Sequence, residues 1–152
     1  ANCQLLGVYA PELTEMFAHA LQLLGAKRAF VVHGHDGLDE ISVCAPTRVS
    51  ELKDGFIRTY DISPEQYFGE QAMPADLLGG NPEENAQITR NILNGEKGPK
   101  RNVVLINAAA TRVAAGQAED FKQGIRMAET AIDDGSAAKK MEALIKYSQE
   151  NG

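Results

Sequence analysis

From Val31 to Glu40 the chain reads Val-Val-His-Gly-His-Asp-Gly-Leu-Asp-Glu, then turns apolar again at Ile41. Three carboxylates, Asp36, Asp39 and Glu40, follow the end of an apolar run, with two histidines and two glycines among them. Neighbouring carboxylates in such a loop suit Mg2+, a hard cation that takes one or two carboxylate oxygens and completes its octahedron with water and phosphate oxygens. The same residues also suit a solvated acidic loop in which Asp36-Gly37 is only a turn. His33 and His35 have no further ligands at zinc spacing, since His19 falls in a helical stretch and Cys3 and Cys44 are not placed to join them. His33 is expected to hydrogen-bond to backbone at a strand end, and His35 to be exposed. Gly34 and Gly37 either bring backbone amides up to a phosphate or serve as turn residues. Gly79-Gly80 leaves the same choice, and Lys97 to Arg101 reads as a small basic cluster on a solvated face.

A loop of this kind has to be carried by a strand end, and the elements around it supply one. Gln4 to Tyr9 is short and apolar, which predicts a strand. Between Pro11 and Gly25, Leu13, Met16, Phe17, Ala20, Leu21 and Leu24 recur at helical spacing, which predicts an amphipathic helix with that face inward. Ala29 to His33 is the next strand. Strand, helix, strand in about 30 residues is a βαβ unit with parallel strands. Ligands in open α/β sheets bind beyond the carboxyl ends of such strands, where Gly34 to Glu40 lies.

Ile41 to Cys44 is expected to be extended. Arg48 to Leu52 and Phe56 to Ile62 flank Lys53-Asp54-Gly55, a hairpin signal. Ser63 to Gly80 reads as a long surface connection. Asn81-Pro82-Glu83-Glu84 starts a helix that stops near Gly95. Pro99 opens a second, apolar nearly all round and so expected to be central. Phe121, Ile125, Ala128 and Ile132 mark a third, and Ser136 caps a fourth with Met141, Leu144 and Ile145 inward. These helices carry more apolar surface than two parallel strands and a hairpin can cover, so a larger sheet is expected to be missing.

The 152 residues, 43% hydrophobic, suffice for one domain with its own core. A formal net charge of -6 and the lack of a basic stripe speak against nucleic acid as a partner. No stretch is long and apolar enough to span a membrane, and no signal peptide is apparent. Cys3 and Cys44 read as buried thiols of a reducing compartment, which predicts a cytoplasmic protein. Neither Gly-x-x-x-x-Gly-Lys nor Gly-x-Gly-x-x-Gly occurs, and no nucleophile is paired with a base.

His33-Gly34-His35-Asp36-Gly37-Leu38-Asp39-Glu40 resembles the His-Gly-x-Asp-Gly-Leu-Asp-Glu signature of the anthranilate phosphoribosyltransferases. Gln4 to Tyr9, Pro46-Thr47, Leu52 to Gly55, Gly79-Gly80 with Glu84-Asn85-Ala86, and Asn107 to Ala110 fit the same family in order. The resemblance implies a nucleoside phosphorylase/phosphoribosyltransferase-like α/β domain. It implies transfer of phosphoribose from phosphoribosyl pyrophosphate to anthranilate in tryptophan biosynthesis, releasing pyrophosphate, with Mg2+ as cofactor and a homodimeric parent enzyme. Asp39 and Glu40 match the family's metal-binding pair, and no residue is assigned a catalytic role. The family's Gly-Thr-Gly-Gly-Asp phosphate loop, its Lys-His-Gly segment and its anthranilate-contacting arginine have no counterpart here. The expectation is therefore that residues 1–152 are the C-terminal portion of the phosphoribosyltransferase α/β domain and are inactive alone. The alternatives are a non-catalytic fragment, or a nucleic-acid-binding relative of the same fold.

Overall fold

Strand β1 (Cys3–Gly7) lies parallel to β2 (Arg28–Gly34), with Leu5 opposite Phe30 and Gly7 opposite Val32. Helix α1 (Leu13–Leu23) makes the crossover, so the expected βαβ unit is present. Strand β3 (Thr47–Lys53) runs antiparallel to β2, and β4 (Phe56–Ile62) antiparallel to β3, giving one mixed sheet in the order β1-β2-β3-β4. The turn between β3 and β4 holds Asp54 at φ 52° and Gly55 at φ 81°. Two successive left-handed residues match the twist of a hairpin, which is what the Asp-Gly pair predicts. The computed structural model describes residues 2–151.

The two central strands, β2 and β3, are buried on both faces. Phe30, Val32 and Val49 point to one side, and Ala29, Val31 and Leu52 to the other, the alternation that a strand imposes. The first face packs against α4 (Pro99–Ala114) and α5 (Phe121–Asp133), and α3 (Pro82–Leu93) joins the same core through Ile92 by packing on α5. Phe121, Ile125, Ala128 and Ile132 are all buried there, and the Phe30 and Phe121 rings meet at 5.2 Å between centroids. Helix α4 is central through Leu105, Ile106, Ala109 and Ala110. Helices α4 and α5 thus find cover on this sheet and α3 on α5, and the surplus apolar surface lies elsewhere.

Part of it lies on α1. That helix faces the sheet with Thr14, Ala18 and Leu21, and Ser50 donates a buried hydrogen bond of 3.0 Å to the Thr14 hydroxyl. Met16, Phe17, Leu23 and Leu24, two of them over 80% exposed, form a stripe that points away. The face expected to be inward is therefore largely the outer one. Large side chains dominate a periodicity reading, whereas close packing on the sheet selects small ones.

Other expectations change as well. Ile41 to Cys44 is not a strand: it is buried, but side chains hold its backbone. Residues 63–80 are not merely a surface connection, since they form α2 (Glu65–Phe68) and a 3-10 turn (Pro74–Leu77), and Tyr67, Phe68, Ala72 and Leu77 pack against the core. Helix α6 (Ser136–Asn151) meets α5 and α3 but buries no residue fully: Ala137 packs against the core and Met141 is half-buried, whereas Leu144 and Ile145, expected inward, are exposed. Ser136 is its first residue rather than its cap; its amide donates to Asp134. Cys3 is exposed, because β1 is an edge strand, while Cys44 is buried as expected. No described helix is long and apolar enough to cross a membrane.

Candidate metal site

The acidic loop leaves the carboxyl end of β2 and folds back over the end of β1. His33 anchors its start: Nδ1 donates to the Val8 carbonyl at 2.8 Å, the backbone role expected of it. His35 is exposed, and its Nε2 lies 3.2 Å from Asp61 on β4. Arg48 donates to the other Asp61 oxygen at 3.1 Å. Burial works to raise the Asp61 carboxyl, but the bonds from Arg48 and His35 together hold it below the usual range. The loop is thus tied to the hairpin on one side.

The glycines close turns. The Gly34 amide donates to Leu38 and the Gly37 amide to Gly34, both at 2.8 Å, so neither is aimed outward at a phosphate. Gly37 sits at φ 93°, in the left-handed region. At Gly34 a β-carbon would meet the Asp36 carboxylate at 2.5 Å. Gly79-Gly80 also resolves as a cap rather than an anion site. Asn85 takes the Gly80 amide, Glu84 takes that of Asn81, and Asn81 takes that of Glu84.

The three carboxylates have different fates. Asp36 accepts from the Ser42 hydroxyl at 2.6 Å, and the Ser42 oxygen accepts in turn from the amides of Cys44 and Ala45. Asp36 is thereby a structural acceptor. Asp39 and Glu40 both reach solvent, Glu40 from the wall of a groove, and among the described residues no hydrogen bond or cation engages their side chains. Glu40 lines a groove of about 390 Å³ together with Leu77, Ile88, Val103 and Lys100. Partial burial, then Asp39, then Asp36, push its carboxyl above the ordinary carboxylate value.

Two contacts fix the backbone of the pair, and neither follows from composition. A β-carbon on Gly7 would coincide with the Asp39 carbonyl group, so only glycine lets β1 end against the loop. On the other side the Asn107 side chain, from α4, accepts the Ile41 amide at 3.0 Å and donates to the Ile41 carbonyl at 2.9 Å. Both residues lie in segments that fit the family pattern, the only sequence signal that marks them.

Among the described residues no group of three or more His, Cys, Asp or Glu side chains is placed to hold a metal. A pair of carboxylates such as Asp39 and Glu40 would fill only part of a cation's shell, the rest falling to water and a ligand. That donor set fits Mg2+, which is seldom caged by protein alone. Like-charge crowding at Glu40 is what a bound cation would relieve.

The basic cluster is a solvated face at Lys97 but not at Arg101. Arg101 is 2% exposed, with Nη1 2.7 Å from Asp133 Oδ1. That contact is a charge pair without hydrogen-bond alignment, and Nη2 has no partner among the described residues. Lys100 donates to the Asp76 carbonyl at 2.7 Å.

Residues 1–138 match the glycosyl transferase family, a/b domain. The chain belongs to that family. The a/b domain is 67% identical, over the whole of this chain, to the anthranilate phosphoribosyltransferase of Desulfosudis oleivorans, and spans 45% of that relative. Among solved structures it superposes on the anthranilate phosphoribosyltransferase of Thermus thermophilus with a TM-score of 0.83 and 37% identity, covering 93% of this chain and 41% of the other. It is also similar to the Saccharomyces cerevisiae enzyme in complex with PRPP and Mg, with a TM-score of 0.80 and 30% identity over 92% of this chain and 41% of the other. The chain thus spans less than half the length of these proteins. The α/β fold expected from the sequence is the fold of this a/b domain.

Proposed function

We propose that the chain is the C-terminal part of an anthranilate phosphoribosyltransferase, in which Asp39 and Glu40 hold Mg2+. The reaction transfers phosphoribose from phosphoribosyl pyrophosphate to the amine of anthranilate, giving N-(5-phosphoribosyl)anthranilate and pyrophosphate, in tryptophan biosynthesis. The observation that carries the reading is the carboxylate pair left without partners at the ends of two parallel strands, in a fold similar to an enzyme bound to PRPP and Mg.

When bound, the cation would neutralise the pyrophosphate leaving group as positive charge builds on the ribose. The chain's own contribution is positioning. One Asp36 oxygen is engaged by Ser42, so Asp39 and Glu40, whose carboxylates are free of such bonds, are the residues that would hold the cation. The Gly7 contact and the Asn107 clamp set where they project. No side chain of the loop is asked to move a proton. The parent enzyme is taken to be a cytoplasmic homodimer. The isolated chain is taken to be inactive, because its sequence has no counterpart of the family's phosphate loop or Lys-His-Gly segment.

The test is product formation by the full-length parent carrying Asp39→Asn and Glu40→Gln. Each is expected to weaken the apparent Mg2+ affinity by about tenfold or more, the range seen when ligand shells are disturbed. Unchanged activity and unchanged Mg2+ dependence in both would refute the assignment.

A further inference from the structure

Asn107 lies in the middle of α4, with its side-chain amide turned onto the loop. Oδ1 accepts from the Ile41 amide and Nδ2 donates to the Ile41 carbonyl. The same Nδ2 donates to the Val103 carbonyl, one turn back on the helix, at 2.9 Å. One planar group thus holds both backbone groups of the residue that directly follows Glu40. Ile41 is 1% exposed and its side chain belongs to the core, so water offers these groups no alternative.

We propose that Asn107 is a positioning residue for the acidic pair. Gripping Ile41 at both its N–H and C=O fixes the peptide from which Glu40 projects. The Asp39 carbonyl is fixed from the other side by Gly7. The backbone of the pair is clamped between a helix and a strand end. The inference rests on the reading of Asp39 and Glu40 as ligands, and assigns to that site a residue that touches neither cation nor substrate. Asparagine suits the task because it alone offers a donor and an acceptor at this length. Aspartate lacks the donor, leucine lacks both, and glutamine carries both one methylene too far.

A buried polar residue that only filled hydrogen bonds would also destabilise the protein when replaced, so stability does not decide the matter. Metal affinity does. The full-length parent is prepared with Asn107→Leu, Asn107→Gln, Glu40→Gln, and Ile125→Val as a core change remote from the loop. Mn2+ binding is titrated by the paramagnetic resonance signal of the free ion, well below each variant's unfolding temperature. Asn107→Leu is expected to raise the Mn2+ Kd by about tenfold, with Asn107→Gln intermediate and Ile125→Val unchanged. Activity lost by the Asn107 variants should return at saturating Mg2+, a rescue that a smaller folded fraction would not show. Should Asn107→Leu fail to fold, Asn107→Gln carries the test. Folded Asn107 variants with the parental Kd, beside a weakened Glu40→Gln, would overturn this inference alone. An unchanged Kd in Glu40→Gln would remove Glu40 as a ligand and overturn this inference with it.

Discussion

A β-carbon on Gly7 would fall 1.6 Å from the Asp39 carbonyl oxygen, so the last residue of β1 and the first acid of the pair meet backbone to backbone. No side-chain rotation can relieve a clash of that kind. Gly7→Ala must push the loop off the strand end, at a cost typical of overpacking, about 1–3 kcal/mol. Denaturant unfolding of the parent should show a loss of that size, accompanied by weaker Mg2+ dependence. A variant with parental midpoint and parental metal response would contradict the contact.

The Glu40 carboxyl gives a pH signature. Its partial burial, then Asp39, then Asp36, raise its pKa in the folded chain. The unfolded chain therefore releases this proton at lower pH than the folded one. Below the unfolded value both states keep the proton and Glu40 has no effect on stability. As pH rises the folded state is penalised, fully so above the folded value. In the presence of a chelator, Glu40→Gln should unfold at a higher temperature than the parent at pH 7, and the gain should fade as pH falls through the range just above the ordinary carboxylate value. Melting curves across that range decide it; equal midpoints at pH 7 would remove the argument.

Replacing a glycine inside a helix by alanine ordinarily helps, by roughly 1 kcal/mol. Gly124 on α5 should reverse that sign. A β-carbon there would sit 2.8 Å from both the Cα and the Cβ of Ala109, where α4 and α5 approach each other closely. The helices would have to separate, so Gly124→Ala is expected to destabilise by about 1–3 kcal/mol. A gain in calorimetric midpoint would show that the two helices can part freely.

What the sequence makes legible is what is locally encoded. The Asp54-Gly55 turn and the Asn81–Glu84 capping box each depend on a few consecutive residues, and both form as their residue types require. The buried run of β2 and the inward face of α5 are periodic and unambiguous. The misreadings are tertiary. Helix α1 has two candidate faces, and the small one packs. Arg101 is buried because Asp133 lies across from it, at the end of a different helix. At the candidate site, the signature marks Asp39 and Glu40 but not which carboxylate is already engaged. That distinction depends on Ser42, and the placement of the pair depends on Gly7 and Asn107, which the chain brings in from opposite sides of the loop.

Helix α6 adds a consequence of its own. The family match ends at residue 138, two residues after that helix begins, and nothing along the helix is fully buried. Only its first turns, through Ala137 and Met141, meet the rest of the fold, so its later turns can fray without disturbing the sheet. The exposed residues 142–151 therefore open at a lower free energy than the strands that carry the acidic loop.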